Sequence, residues 1–340
     1  MGKVLSFGEL LLRICPDTDG EWLATHTLPF YVGGAELNVA TALALWGIPS
    51  AYFTALPDNF MAGQLIHYMR QCGIDTRSVH RGGDRVGLYY LPKGKDLKNA
   101  GVIYDRAYSA FAGLKTNVID WDRVLDGISW FHFSAICPAL SQQAADVCLE
   151  AVKAAEVRGI TISVDLNYRA KLWQYGKQPH EVMPALVQHA HTVMGNIWAA
   201  QKMLNIPLPE GFEKTDNKDR YLEQALKTSV AITERFPQCK TIANTFRFDQ
   251  ENGIRYYTTL YSPGNFTVSD EYWSEFILDK VGSGDCFMAG LIYGLIQRHT
   301  AKETLRFATA AAFNKLFIPS DCTMATVAQV NETAARYDKE

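Results

Sequence analysis

The residues best suited to chemistry form the run Asp279-Lys280-Val281-Gly282-Ser283-Gly284-Asp285, which opens directly into CFMAGLIYGLI. The second part has the composition of an apolar, small-residue helix with Gly290 and Gly294 on one side. A glycine-rich turn feeding a helix N-terminus presents backbone N–H groups and the positive end of the helix dipole, a site for phosphate oxygens. An Asp in that first turn repels an anion, so its presence calls for a reason. Accepting the proton of an attacking hydroxyl is such a reason. The structural alternative is a plain helix cap.

Three further groups carry polar chemistry in unusual places. Gly33-Gly34-Ala35-Glu36-Leu37-Asn38 is a second glycine pair opening a helix. Its glycines allow close backbone approach to a ligand, and Asn38 can donate to and accept from sugar hydroxyls, or pack against a neighbouring loop. Asp165-Leu166-Asn167-Tyr168-Arg169 ends an apolar run. Alternating Asp, Asn and Arg there make poor core but good ligand chemistry, the arginine being a planar fork for a carboxylate or phosphate. An Asp165–Arg169 salt bridge is the competing account. Gly87-Leu88-Tyr89-Tyr90 and Tyr104-Asp105-Arg106 place aromatic and basic residues where they could close over a polar substrate, although aromatic strand residues often only pack.

These groups need a scaffold, and the apolar pattern supplies one. Val4–Phe7, Ala51–Ala55, Trp130–Ser134, Thr161–Asp165 and Thr192–Met194 read as buried parallel strands, separated by helical stretches at Leu37–Trp46, Met61–Cys72, Gln142–Arg158 and Glu181–His189. That alternation predicts an α/β fold, a mostly parallel central sheet flanked by helices on both faces. Two stretches, Leu10–Val32 and Arg85–Ser109, break the pattern and read as short antiparallel strands. They form either a small β lid over the carboxyl ends of the sheet, where ligands sit, or ordinary edge hairpins. The charged, turn-rich segment 207–221 is a solvated connection. The whole reads as one α/β unit over 1–340 with lid insertions at about 10–32 and 85–109.

Bulk properties exclude several classes. With 340 residues, 48% of them hydrophobic, and a net charge of -3, there is ample core and no electrostatic case for nucleic acid or a membrane surface. Seven cysteines are scattered without a C-x-x-C pair, so they read as reduced thiols rather than a zinc site or disulfide frame. No uncharged segment approaches the roughly 18 residues of a membrane span, and the N-terminus, interrupted by Glu9 and Arg13, lacks a secretory signal. The expected setting is the cytoplasm. No Gly-x-Gly-x-x-Gly follows the first strand, which argues against a dinucleotide oxidoreductase.

Taken together, the four groups resemble the ribokinase-like, or PfkB-type, sugar kinase family, in order and spacing from Gly8-Glu9 to Pro319-Ser320-Asp321. The resemblance implies a ribokinase-like fold with ATP and Mg2+ as cofactors. It implies Asp285 as catalytic base and Gly282, Ser283 and Gly284 as anion hole. Asn167, Asn196 and Lys280 are the candidate nucleotide contacts, and the holder of the metal is left open, with Asn196 through water as one candidate. Gly-Glu-Leu-Leu-Leu-Arg at the start, Gly87-Leu88-Tyr89, Tyr104-Asp105-Arg106 and Asp165-x-Asn-x-Arg-x-x-Leu-Trp are similar to the 2-keto-3-deoxygluconate kinase group. That similarity implies substrate contacts from Gly34, Tyr89, Tyr104, Arg106 and Arg169, two arginines suiting a sugar-acid carboxylate, and Gly33 and Asn38 join them as candidates from their own chemistry. It also implies a homodimer through the lid.

Departures fall mostly on the nucleotide and metal side. The family's Asn-x-x-Glu is Asn196-Ile197-Trp198-Ala199 here, its Thr-Thr before the anion hole is Lys280-Val281, and Pro57, Asn244-Thr245 and Ser320 replace other usual residues. Lys280 could partly compensate by standing beside the phosphates. A fructokinase or other hexose kinase, and a catalytically weak sugar-acid-binding regulator, are the alternatives.

Overall fold

The computed structural model describes residues 2–16, 26–92, 101–212, 217–250 and 253–338. The main sheet contains β1 (Lys3–Phe7), β4 (Ser50–Phe53), β9 (Ile128–Ser134), β10 (Thr161–Asp165), β11 (Thr192–Gly195), β12 (Thr241–Gln250), β13 (Gly253–Ser262), β14 (Asn265–Val268) and β15 (Tyr272–Ser274). Its order is β4-β1-β9-β10-β11-β12-β13-β14, with β15 also beside β13. The pairings from β4 to β12 are all parallel, and β13 to β15 add an antiparallel end. The parallel strands are buried on both faces, which is why they read as continuous apolar runs. On β9 and β1, Phe131, Phe133, Leu5 and Phe7 join one core while Trp130 and Val4 join the other.

Helices α3 (Trp121–Val124), α4 (Gln142–Val157), α5 (Pro179–Val187) and α6 (Ile197–Leu204) cover the first core, and α7 (Lys218–Arg235) packs at its β12–β13 end. The second core lies under α1 (Ala35–Leu45), α8 (Ser283–Ile296), α9 (Ala301–Lys315) and α10 (Val327–Ala335). The small-residue side of α8 faces α9: a Cβ at Gly290 would come within 2.6 Å of the Ala308 Cα. Close helix contact is the use of that glycine.

Two expected boundaries move. The Ala51–Ala55 strand divides, because Thr54 turns its hydroxyl to the Leu10 N–H and β5 (Ala55–Leu56) leaves to pair with β6 (His80–Arg81). The helix expected from Glu181 starts at Pro179, where proline suits the first turn and Gln178 and Glu181 form a capping box.

The two inserted stretches form one separate sheet in the order β3 (Phe30–Gly33), β2 (Leu11–Ile14), β7 (Gly87–Tyr90), β8 (Ile103–Asp105). The expected antiparallel pairing holds within the hairpins β2–β3 and β7–β8 but not between them, since β2 and β7 pair in parallel. Each is the outgoing strand of its hairpin, so side by side they run the same way. Helix α2 (Phe60–Gln71) packs beside this lid through Ala62, Leu65 and Met69. Segments 17–25 and 93–100 of the expected insertions, and 213–216 of the expected connection, lie outside the described residues.

Candidate active site

A cleft of about 650 Å³ opens at the carboxyl ends of β10 and β11, roofed by the lid. Asp285, Gly282, Ser283, Gly284, Gly34, Asn38, Tyr89, Tyr104, Arg106, Asn167, Arg169, Asn196 and Lys280 all line it. Gly33 sits just behind, where a Cβ would stand 2.5 Å from Asp321 Oδ2. Segments distant in sequence thus meet in one cavity, and Asp321, from the C-terminal segment, joins them.

The N-termini of α1 and α8 converge here, and neither is capped by a side chain. Their cap residues are glycines for a reason. Gly34 has φ +139° and Gly282 φ +79°, and Cβ atoms there would fall 2.4 Å from the Glu9 carbonyl oxygen and 1.9 Å from that of Asp321. With no side chain inserted, the α8 turn faces the cleft as a bare anion site. Asn38 links the two helices by donating from Nδ2 to Asp285 Oδ2 at 2.7 Å. Its Oδ1 accepts from the Cys322 thiol at 3.1 Å. Asn38 is therefore held at both ends, and through Nδ2 it orients Asp285. Burial pushes the Asp285 carboxyl up to about 6, the Asn38 hydrogen bond opposes this, and buried Glu36 adds to it. The other Asp285 oxygen has no protein partner among the described residues, so it is free to accept a proton at neutral pH.

The two arginines differ in kind. Arg106 is buried and donates from Nε to Glu9 Oε2 at 2.5 Å, while Ser109 donates to Glu9 Oε1. Its charge is already matched. Arg169 makes no ion pair among the described residues, donating only to the Tyr168 carbonyl at 3.0 Å, and its charge is felt at Asp285. The Asp165–Arg169 salt bridge considered above does not form. Lys280 is likewise committed, to Asp249 at 2.8 Å, rather than standing free for phosphate.

Arg13, fully buried on lid strand β2, grips Asp279 through both terminal nitrogens, at 2.5 and 3.3 Å. Its Nε lies 3.1 Å from Asp321 Oδ1, an ion pair without hydrogen-bond alignment. Tyr89 Oη donates to Asp321 Oδ2 at 3.0 Å, so this tyrosine is positioned by the same cluster. Burial pushes Asp321 up to about 6 against the pull of Arg13. Val281 packs with Leu11 and Tyr89 under the lid, which gives one departing residue an apolar purpose. Glu9, Arg13 and Asp321 were not singled out as site residues from sequence. The signal available was a charge embedded in an apolar strand, as in Leu-Leu-Leu-Arg-Ile, because a buried charge demands a partner.

On the opposite side of the cleft, the amide of Asn167 has no partner among the described residues. Asn196 caps α6, accepting the Ala199 N–H on Oδ1 at 2.8 Å. A glutamate three residues after such a cap would complete a capping box, so the Ala199 departure removes a carboxylate that local geometry would have held. No trio of His, Cys, Asp or Glu groups lies together among the described residues. A magnesium ion, which binds through few carboxylates, waters and substrate phosphates, fits this sparse set. A zinc-type cage does not.

No described helix is long and apolar enough to cross a membrane, and all seven cysteines are free thiols. Among known proteins, the chain is 26% identical to a 2-dehydro-3-deoxygalactonokinase of Haloferax volcanii, over 96% of this chain and 95% of the relative. It is also 26% identical to a probable fructokinase-5 of Arabidopsis thaliana, over 90% of this chain and 89% of the relative. Among solved structures, the 2-dehydro-3-deoxygluconokinase of Thermotoga maritima superposes with a TM-score of 0.88 at 32% identity, over 98% of this chain and 100% of that one. The model of the pfkB family of carbohydrate kinases matches residues 1–234 and 251–316. With an open helix N-terminus, an oriented carboxylate and a roofed cleft at the sheet's carboxyl edge, this chain belongs to the pfkB family of carbohydrate kinases.

Proposed function

We propose that the chain transfers the γ-phosphoryl of ATP to the terminal hydroxyl of a sugar acid, 2-keto-3-deoxygluconate or a close epimer, in the cytoplasm. The observation that carries the sugar-acid assignment is Arg169, an uncompensated guanidinium lining the cleft and felt at Asp285. A neutral hexose gives that charge nothing to pair with, whereas a carboxylate at the far end of a short chain does. Tyr89 and Tyr104, their ring centroids 6.3 Å apart, form a wall of the same pocket.

In the transfer, Asp285 takes the proton of the attacking hydroxyl while Asn38 fixes the direction of its carboxylate. The Ser283 and Gly284 amides and the dipole of α8 receive the phosphoryl oxygens. Asp165, with Asn196 through water, would hold a magnesium ion arriving with the nucleotide, which supplies charge neutralisation on the phosphates. The lid keeps water from the cleft.

The test is ADP release with ATP and magnesium on a panel of 2-keto-3-deoxygluconate, its galactonate epimer, fructose, ribose and gluconate. Turnover on the keto-deoxy acids far above the neutral sugars is expected. Fructose turned over equally well would move the assignment to a fructokinase, a reading favoured by the plant relative. Sugar-acid binding without ADP release would move it to a regulator.

The lid also supports a homodimer. Its edge strands carry Phe30, 54% exposed, and Ile103, 52% exposed, on edges that pair with no further strand among the described residues. A mass in solution of two chains that falls to one on replacing both residues with Lys is the expected result. A monomer at all concentrations would end that proposal.

A further inference from the structure

Beneath the anion-binding turn lies a charge that the reaction scheme above leaves unused. Lys315 is the last residue of α9, fully buried, and its Nζ donates to the Ile318 carbonyl at 3.0 Å. It makes no ion pair within 4 Å among the described residues, because Arg13 holds both Asp279 and Asp321. A buried cation without a paired carboxylate is costly, so a structural role alone explains it poorly. Its stem is pressed against the turn: a Cβ at Gly282 would stand 3.3 Å from Lys315 Cε. The turn itself is flanked by two carboxylates on the same cleft, Asp285 and Asp321, whose field opposes any phosphoryl group arriving there.

We propose that Lys315 is a positioning residue for phosphoryl transfer: its buried ammonium supplies the fixed positive charge that lets the Gly282–Gly284 turn receive an anion beside two carboxylates. This rests on the kinase reading of the cleft. The charged and titratable groups facing Lys315 are Asp279, Asp321, Cys286 and Arg13. Those facing Asp285 are Glu36, Arg169 and Lys315, beside the neutral Asn38 amide that donates to it, and Lys315 favours the ionised base.

Lys315→Gln removes the charge and keeps an N–H donor on a stem one bond shorter; Lys315→Met, which keeps the stem under Gly282, is the second variant. In both, turnover falls by about tenfold or more and the affinity for magnesium adenylyl imidodiphosphate weakens in parallel. Sugar-acid affinity stays at the wild-type level, and the acid limb of the pH–rate profile moves upward. Methylammonium partly restores turnover to Lys315→Ala. Wild-type turnover and acid limb in a folded Lys315→Gln would overturn the proposal, as would equal losses of sugar-acid and nucleotide affinity. Wild-type protein that turns over no sugar on the panel, yet binds the nucleotide analogue in a Lys315-dependent way, would fail the substrate assignment and leave this one standing.

Discussion

Replacing Asp285 with Asn lowers turnover by at least ~10²-fold while the sugar acid still binds, because a positioned general base contributes a factor of that order. The pH dependence identifies the group. The base works ionised, so wild-type turnover climbs as pH rises through about 6 and then levels, following the carboxyl that burial has pushed up from 3.8 to about 6. Stability runs the other way. An acid whose folded-state value lies above its unfolded one contributes most below about 4 and loses that contribution as pH rises through about 6. Asp285→Asn removes this loss, so at pH 7 to 8 the variant unfolds at a temperature a few degrees higher, within an upper bound of about 3 kcal/mol for a shift of that size. Steady-state rates from pH 5 to 9 and calorimetry on both proteins check it. Wild-type turnover in the variant would remove Asp285 from the base position. A variant less stable than wild type at neutral pH would mean that the Asn38–Asp285 bond contributes more than desolvation takes away.

Much of this site was legible because its chemistry is carried by local patterns. A glycine turn followed by an apolar helix announces Gly282 and Asp285, and a polar cluster after an apolar strand announces Asn167 and Arg169. What the pattern does not carry is the partner of each charge. Arg13 and Asp279 are 266 positions apart, and Asn38 and Cys322 are 284 apart, so their pairing is decided only when the lid and the C-terminal segment fold onto α8. The same limit explains why Arg106 and Arg169 looked equivalent from sequence: Glu9, which separates them, sits 97 positions from Arg106. The parallel β2–β7 pairing was hidden for a related reason, since two hairpins show their turns in sequence but not which of their strands will lie side by side. The antiparallel β12–β13 end is by contrast a local hairpin, Gln250 standing opposite Gly253, and the Asn252-Gly253 pair is the sequence signal that went unread.

That difference between the arginines yields the second large effect. Arg169→Met raises the KM for the keto-deoxy acid by roughly 10- to 100-fold, the loss expected when a charge-assisted hydrogen bond of ~1.5–3 kcal/mol is removed. The folded state does not depend on Arg169 through any carboxylate, so the unfolding temperature stays near the wild-type value. Arg106→Met does the opposite, stranding the buried Glu9 charge and destabilising the fold by about 3–5 kcal/mol, whatever it does to the substrate. Kinetics on the acid and on a neutral hexose separate the readings further. A carboxylate partner predicts that Arg169→Met loses ground on the acid alone, narrowing the preference between the two. Equal losses on both would show that Arg169 acts on the transferring group or on Asp285 rather than on a carboxylate. The charge that favours an acid over a neutral sugar would then have to come from another cation lining the cleft, such as Lys171 or Lys202.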